Sequence, residues 1–240
     1  MGSEVLKAIL FDLDNTLIDT AGAGKIAIET VKDFMKGKLD DDTHIDEICE
    51  RFQCKLLHEA SSPGGTPIDD VRTRHWAQAI QEVGSTCPSG LAAKCYRLWK
   101  STRLRQLRIP PACRQLLREL RRSYKLLLLT NGEAQTQREK VAAARCRALF
   151  DAVVLCGEHG EEKPAASVFL HSCGLLGVRP SECVMVGDSL DTDIQGGVNA
   201  GLRATVWISA ADCPPSGCPV QPHHTIPSVL QLPAVLDRMQ

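Results

Sequence analysis

A short apolar run that ends in two carboxylates constrains this chain more than any other feature. Residues Ala8–Phe11 suffice for one buried strand, and Asp12 and Asp14 follow with a single residue between them. Successive strand side chains alternate between faces, so both carboxylates leave the strand end in nearly the same direction. Two crowded carboxylates repel each other unless a cation or a shared proton intervenes. The pattern, completed by Thr16, therefore predicts a Mg²⁺-assisted phosphoryl-transfer site, with a solvated acidic loop as the alternative.

The composition narrows the class of protein. The 240 residues allow one large domain or a core with an insertion, and 43% hydrophobic and 24% charged residues are usual for a soluble globular protein. A net charge of −1 argues against a nucleic-acid binder with a general basic face. No apolar run approaches the roughly 18 residues of a membrane span, and no signal peptide is recognisable. We therefore expect a small-molecule substrate and no nucleic-acid, membrane or obligate protein partner.

Cysteine usage predicts a reducing, cytoplasmic compartment. The chain has 11 cysteines, an odd number spread through apolar segments, unlike a secreted disulfide framework. Those expected on buried faces are Cys95, Cys146, Cys173 and Cys183. The cluster that most resembles a metal site comprises Cys213, Cys218, His223 and His224. Its spacing matches no standard zinc pattern and prolines interrupt it, so a surface loop is favoured over a zinc site.

Hydrophobic periodicity divides the chain into two parts. Four amphipathic helices are predicted after the first strand, at 23–37, 43–60, 69–83 and 90–104. They indicate a helical cap inserted at 18–105, which leaves 1–17 and 106–240 as a catalytic core. The core alternates apolar strands at 124–129, 152–156, 183–187 and 203–208 with helices at 113–122, 134–147, 167–176, 193–200 and 226–238. This alternation predicts a doubly wound, Rossmann-like α/β fold with a parallel sheet.

Polar clusters follow three of the predicted strands. Besides Asp12, Thr130 and Asn131 lie at a turn after the second strand, and Asp188 follows Gly187. Parallel strands end at the same edge of a sheet, so these groups are expected to converge. The Thr130 hydroxyl and nearby N–H groups suit a phosphate oxygen, with helix capping as the alternative. Asp188 suits a metal ion, with a charge at a helix N-terminus as the alternative.

A lysine–proline pair supplies a candidate cation. Pro164 suits the first turn of a helix and would fix Lys163 just outside it. An ammonium held near the strand ends would neutralise phosphoryl oxygens and crowded carboxylates. The alternative is an ordinary solvated lysine.

Together these motifs resemble those of the haloacid dehalogenase superfamily. The four are Asp12-x-Asp14-x-Thr16, Thr130-Asn131, Lys163-Pro164 and Gly187-Asp188 with Asp193. The resemblance implies a doubly wound parallel sheet with a helical cap between the first and second motifs. The original dehalogenases lack the second acid of the first motif, so Asp14 makes this chain similar to the phosphatases of the superfamily.

The resemblance also implies roles for individual residues. Asp12 would be the nucleophile that forms an aspartyl phosphate, and Asp14 would donate and then accept a proton. Mg²⁺ would be held by the Asp12 carboxylate, the Asp14 backbone carbonyl and Asp188. Phosphate oxygens would be held by Leu13, Asp14, Thr130, Asn131 and Lys163. Asp193 would orient Lys163 or a metal-bound water, and Thr16 would brace the turn after the nucleophile.

Cations on the predicted cap helices suggest recognition of a second anionic group on the substrate. The candidates are Arg72, Arg74, Lys100 and Arg103. The alternative is a solvated helix face whose long side chains cover apolar surface.

Longer segments resemble one family of phosphatases, the vertebrate N-acylneuraminate-9-phosphatases. The similar segments are 11–23, 98–104, 126–132, 135–140, 184–188 and 192–197. This resemblance implies hydrolysis of N-acylneuraminate 9-phosphate to free sialic acid, the last step of its biosynthesis in the cytosol. Two alternatives stay open: a phosphatase of the same superfamily for another sugar phosphate or a nucleotide, and a non-catalytic binding scaffold.

Overall fold

A computed structural model of the protein describes residues 5–39, 41–59, 65–211 and 213–239. Its strands are β1 (Ala8–Phe11), β2 (Lys125–Thr130), β3 (Ala152–Leu155), β4 (Cys183–Gly187), β5 (Ala204–Ile208) and β6 (His224–Ile226). Its α-helices are α1 (Thr20–Met35), α2 (Ile45–Leu57), α3 (Ile68–Glu82), α4 (Leu91–Gln106), α5 (Pro111–Leu120), α6 (Ala134–Ala144), α7 (Ala166–Leu176), α8 (Gln195–Asn199) and α9 (Leu232–Asp237). None of the helices in these ranges is long and apolar enough to cross a membrane.

The strands form one parallel sheet, which confirms the predicted doubly wound α/β fold. Their order is β3-β2-β1-β4-β5-β6, and every neighbouring pair is parallel. After β1 the chain builds one side of the sheet with β2 and β3, then crosses to the other side for β4. In such sheets ligands bind outside the carboxyl ends of the strands where the direction of winding reverses. The ends of β1 and β4 are therefore the expected site.

Burial explains why the core strands are apolar throughout. All four residues of β1 are buried, as is all of β2 except Lys125. Helices cover the parallel sheet, so its strands have no solvated face that would favour alternating polar residues. On one face, Phe169 of α7 packs in a buried cluster with Leu127 and Met185. This packing buries that face of the sheet.

The chain divides into two compact units. One comprises the chain up to Asp19 together with the chain from Arg108 onward, and the other runs from Thr20 to Leu107. The insertion predicted at 18–105 differs from the second unit by two residues at each end.

The second unit consists of α1 to α4 around its own apolar core. Phe52 stacks on the buried Trp76 with ring centroids 3.9 Å apart, and it meets Trp99 edge-on at 5.3 Å. Such aromatic contacts add to the stabilisation from area burial alone. The helical spacing that predicted these helices is thus the spacing of an internal core.

The prediction of one helix over 226–238 is wrong. Residues 224–226 form β6 beside β5, residues 229–231 form a 3₁₀ turn, and α9 begins at Leu232. Pro227 disfavours helical backbone at Ile226, and the Ser228 side chain accepts a hydrogen bond from the N–H of Leu230. These residues delay the helix.

Two of the other differences in helix boundaries have a clear cause in the backbone. The helix predicted to end at 147 ends at Ala144, because Arg145 adopts left-handed backbone with φ 48°. The helix predicted at 193–200 begins instead as a π turn over 190–194, which leaves only residues 195–199 in α8. Neither Arg145 nor the π turn carries a sequence signal such as glycine.

Glu182 should make stability depend on pH. Its carboxylate accepts the backbone N–H of Arg179 at 2.9 Å and the Lys7 ammonium at 2.7 Å. The backbone hydrogen bond, then Lys7, lower the pKa of Glu182 to about 2. The unfolded chain then binds the proton more readily, so this stabilisation is complete above pH about 4.5 and is lost as the pH falls toward 2. We expect Glu182→Gln to lower the urea midpoint at pH 7, with the difference from wild type narrowing below pH about 4.5. A difference independent of pH would contradict this.

Candidate active site

The carboxyl ends of three central strands bring predicted site residues together. β1 lies in parallel register with β2 on one side and β4 on the other. Asp12 follows β1, and its N–H donates to the carbonyl of Val186 at 2.9 Å. Thr130 is the last residue of β2, and Asp188 follows β4 directly. The predicted convergence at one edge of the sheet is therefore present in the structure.

Lys163 occupies the centre of this edge rather than the solvent. Its ammonium donates to Asp12 Oδ1 at 2.6 Å, to Asp193 Oδ1 at 2.6 Å and to the Leu129 carbonyl at 3.0 Å. The residue is only 4% exposed. Burial works to lower the pKa of Lys163, but Asp12 and Asp193 outweigh it and raise that pKa above its usual value. Lys163 is therefore a fixed positive charge.

Asn131 holds the segment that presents Lys163. Its amide group donates to the Lys163 carbonyl at 2.8 Å, and its Oδ1 accepts the Lys163 N–H at 2.9 Å. The expectation that Pro164 begins a helix is wrong, because α7 begins at Ala166. These hydrogen bonds, rather than the first turn of a helix, fix the lysine.

The capping alternative for Thr130 and Asn131 is also excluded. The cap of α6 is Glu133, whose carboxylate accepts the N–H groups of Gln135 and Thr136 at 2.8 Å each. The Asn131 side chain binds the Lys163 backbone instead, and the Thr130 hydroxyl accepts the amide nitrogen of Gln137 at 2.6 Å while its own hydrogen can still be donated at the strand end.

Burial destabilises the ionised forms of the three carboxyl groups around Lys163. Burial, reinforced by the charge of Asp193, raises the pKa of Asp12 to about 6 in spite of Lys163. Burial and then the charge of Asp12 raise the pKa of Asp188 to about 6. Burial also raises the pKa of Asp193. The protein thus holds three carboxylates where their ionised forms are costly, an arrangement typical of functional sites.

Within the part of the chain that the structure describes, these three carboxylates form a group that could hold a metal ion. Ligand atoms of Asp12, Asp188 and Asp193 all lie within 4.8 Å of one another. Asp193 already accepts Lys163 with one oxygen and the Ser189 N–H with the other, at 3.1 Å. Asp12 and Asp188 are therefore the better carboxylate ligands. Oxygen donors in a crowded, buried set fit a small hard cation such as Mg²⁺.

Gly187 is required by this arrangement. A Cβ at this position would lie 2.2 Å from a carboxylate oxygen of Asp193, closer than any real contact. The absence of a side chain therefore lets Asp193 reach Lys163.

A tight turn follows strand β1 and Asp12. Asn15 adopts left-handed backbone with φ 56°, which Asn tolerates better than most residues, and its N–H donates to the Ile18 carbonyl at 2.8 Å. The carbonyl of Leu13 accepts the N–H of Leu17 at 3.0 Å. The Thr16 hydroxyl lies 3.5 Å from Asp188 Oδ1, so Thr16 links the turn to the acidic cluster.

Asp14 turns toward helix α6. Its Oδ2 accepts the Lys140 ammonium at 2.7 Å and the amide nitrogen of Gln137 at 3.1 Å. Both partners are buried, Lys140 at 6% and Gln137 at 1% exposure. Both residues lie in the similar segment 135–140, but the sequence predicts no role for either. The available signal was their spacing with Val141 and Ala144, which places all four on the buried face of α6.

The predicted cap cations lie in the helical unit, and acids compensate two of them. Arg72 pairs with Glu59 at 2.8 Å. The ammonium of Lys100 donates to Asp69 Oδ1 at 2.7 Å, which also accepts the Tyr96 hydroxyl at 2.5 Å. The other two candidates are Arg103, whose guanidinium lies 5.2 Å from the centre of the Trp99 ring, and the exposed Arg74.

Comparison with known proteins identifies a family of hydrolases, in agreement with the acidic site at the strand ends. Residues 6–201 match the family model of the haloacid dehalogenase-like hydrolases. The chain belongs to this family. It is 51% identical to the N-acylneuraminate-9-phosphatase of Rattus norvegicus over 99% of this chain and 96% of the relative. The Homo sapiens enzyme of that name is 50% identical over the same shares. The chain is therefore a phosphatase of the haloacid dehalogenase-like family.

More distant relatives and solved structures share the fold. A glyceraldehyde 3-phosphate phosphatase of Methanopyrus kandleri is 30% identical over 82% of each chain. A 2-haloacid dehalogenase of Pseudomonas syringae superposes with a TM-score of 0.69 at 26% identity, covering 98% of this chain and all of the other. A hydrolase of the superfamily from Bacillus subtilis gives the same TM-score at 21% identity, covering 97% and 99%.

Proposed function

We propose that this phosphatase hydrolyses N-acylneuraminate 9-phosphate to free sialic acid and phosphate through an aspartyl phosphate on Asp12. The observation that best supports this mechanism is the contact between Lys163 and Asp12, because it fixes one carboxylate oxygen of Asp12 and leaves the other for attack on phosphorus. Identity of about half the residues along nearly the whole chain to enzymes of that name supports the substrate.

In the first displacement, Asp12 attacks phosphorus and the sugar hydroxyl departs. Lys163 holds Asp12 Oδ1, so the nucleophilic oxygen is presented in one orientation. Asp14 donates a proton to the leaving oxygen. In the second displacement, water attacks phosphorus, Asp14 accepts its proton, and the Asp12 carboxylate is regenerated.

The phosphoryl oxygens need positive charge and hydrogen-bond donors. The Lys163 ammonium, the Thr130 hydroxyl and the backbone N–H groups of Leu13, Asp14 and Asn131 would supply them. Thr16 keeps the turn beside Asp188, and Asp193 keeps Lys163 in place.

Asp12, Asp188 and the Asp14 carbonyl would hold Mg²⁺. When bound, the ion supplies charge that polarises the phosphoryl group. We expect a chelator to abolish activity, Mg²⁺ to restore it fully, and Ca²⁺ to restore less than about a tenth, because Ca²⁺ prefers more ligands at longer distances. Phosphate release after dialysis against EDTA checks this. Full activity in the chelated protein would contradict a metal requirement.

A cation would bind the carboxylate of the sugar. Arg72, Arg74, Lys100 and Arg103 remain our candidates, of which Arg72 and Lys100 would share their charge with Glu59 and Asp69 respectively. Substitution of each by methionine, with KM compared between the neuraminate ester and a neutral sugar phosphate, would identify the residue.

We also propose a cytoplasmic location. All 11 cysteines are free thiols, including the buried pair Cys173 and Cys183 with sulfur atoms 3.5 Å apart. Thiols so close would readily form a disulfide in an oxidising compartment, so free thiols at this distance support a reducing one.

A panel of phosphate esters tests the substrate. With Mg²⁺ present, we expect kcat/KM for N-acetylneuraminate 9-phosphate to exceed that for hexose 6-phosphates, glyceraldehyde 3-phosphate and nucleoside monophosphates by about 10²-fold or more, which is well within the discrimination that polar recognition achieves. The identity of 30% to glyceraldehyde 3-phosphate phosphatases favours a small sugar phosphate as the second candidate. A higher kcat/KM for any other ester would overturn the proposed substrate.

A further inference from the structure

Each aspartate of the Asp-x-Asp pair has its own buried lysine. Asp12 contacts Lys163 at 2.6 Å, and Asp14 contacts Lys140 at 2.7 Å. Lys140 comes from α6, which carries none of the four catalytic motifs although it contains the similar segment 135–140, and its side chain is 8% exposed. We propose that Lys140, supported by Gln137, is a positioning residue that holds Asp14 for proton transfer and keeps it apart from Asp12. This inference rests on the proposed function, which makes Asp14 the proton donor and acceptor.

The contacts of Gln137 favour a role in positioning. The two hydrogens of its amide nitrogen are shared among three oxygens: Asp14 Oδ2 at 3.1 Å, Thr130 Oγ1 at 2.6 Å and the Asn131 carbonyl. Its own Oε1 is buried with no hydrogen-bond partner among the described residues. A buried oxygen without a partner reduces stability. The orientation of this amide is thus set by the three oxygens on its nitrogen side, and those oxygens belong to the site.

The burial of Lys140 points the same way. A buried ammonium requires an opposite charge, and a methionine would fill the same apolar space on α6 without that requirement. The lysine instead delivers a charge to Asp14, whose side chain is 26% exposed and would otherwise be able to rotate. Two separate lysines thus keep two nearby carboxylates in separate positions, one for attack on phosphorus and one for proton transfer.

The test compares leaving groups. The alkoxide of the neuraminate ester requires a proton to depart, whereas p-nitrophenolate departs without one. In rapid-quench measurements of the first turnover, we expect Lys140→Met to slow release of the sugar by about 10²-fold, the usual size of general acid catalysis. Release of p-nitrophenol should slow by no more than about threefold, and KM should be unchanged. Lys140→Arg should restore most of the loss.

Two further variants separate the inference from the proposed function. Asp14→Asn should show the same dependence on leaving group, and Lys140→Met combined with Asp14→Asn should be no slower than Asp14→Asn alone, because Lys140 acts through Asp14. Lys125→Met is the control, since Lys125 is an exposed lysine at the other end of β2 that donates to the Leu176 carbonyl. It should leave all rates unchanged.

The outcomes are distinct. If Asp14→Asn slows both esters equally, the proposed role of Asp14 fails. If Asp14→Asn behaves as expected but Lys140→Met slows both esters equally, or raises only KM for the neuraminate ester, Asp14 keeps its role and the positioning role of Lys140 is overturned. The second of these results would assign Lys140 to substrate binding. If the losses of rate caused by Lys140→Met and Asp14→Asn add up in the double variant, the inference is also overturned.

Discussion

Asp12→Asn is expected to lower kcat by about 10⁴-fold or more, because an amide cannot form the covalent phosphoryl intermediate. Asparagine is nearly the same size and keeps an acceptor for the Lys163 ammonium, which contacts Asp12 Oδ1 at 2.6 Å. Substrate binding should therefore persist while turnover is lost. Phosphate release under saturating substrate measures the effect, and KM or direct titration measures binding.

The same substitution should leave the fold intact. Burial raises the pKa of Asp12 to about 6, so its ionised form is unfavourable in the folded protein without bound cation. Removing that charge should keep the free energy of unfolding within about 1 kcal/mol of wild type. Asp191→Asn is the control, because Asp191 is an exposed acid in the turn after Asp188 and should be dispensable. A tenth of wild-type activity in Asp12→Asn would contradict the assignment of the nucleophile.

Lys163→Met is expected to cost about 3–5 kcal/mol of stability, since it leaves buried carboxylates without their counter-charge. Asp12 and Asp193 both lose a contact of 2.6 Å, and Asp188 lies in the same cluster. Activity should fall by about 10²–10³-fold or more, because the phosphoryl oxygens also lose a donor. Urea unfolding of the metal-free protein measures the first effect, and phosphate release measures the second.

The sign of the pH dependence identifies the cause of this instability. Without Lys163 the folded state binds protons at Asp12 and Asp193 more readily than the unfolded chain does, so the variant should regain stability as the pH falls from 7 toward 5. Adding Asp193→Asn to Lys163→Met should recover part of the loss at pH 7, because one buried charge is removed. A Lys163→Met protein as stable as wild type at pH 7 would contradict the central role of this lysine.

The parts of the fold and of the site that follow from strand topology could be predicted from the sequence. Asp12, Thr130 and Asp188 could be placed together because parallel strands end at one edge, whatever their separation along the chain. The helices of the second unit followed from apolar spacing, and Phe52 and Trp76 do form their core. Lys163 could be included because the Lys163-Pro164 motif stands third among the four motifs along the chain, as in the superfamily they resemble.

The parts that could not be predicted depend on individual side-chain contacts. The spacing of Lys140 and Gln137 with Val141 and Ala144 indicates a buried face of α6, but only the packing reveals that the two polar side chains reach Asp14. Strand β6 has three residues, too few for periodicity to distinguish it from the loop before it. The acid partners of Arg72 and Lys100 come from elsewhere in the unit, so their charges looked available.

The stereochemistry at phosphorus provides the most direct test that the phosphoryl group passes through the protein. With a phosphorothioate substrate made chiral by two oxygen isotopes, and hydrolysed in water that carries the third, each in-line displacement inverts phosphorus once. Transfer to Asp12 followed by attack of water is two displacements, so we predict thiophosphate with retained configuration. Inverted configuration would mean that water attacks the ester in a single step, and Asp12 could not then be the nucleophile.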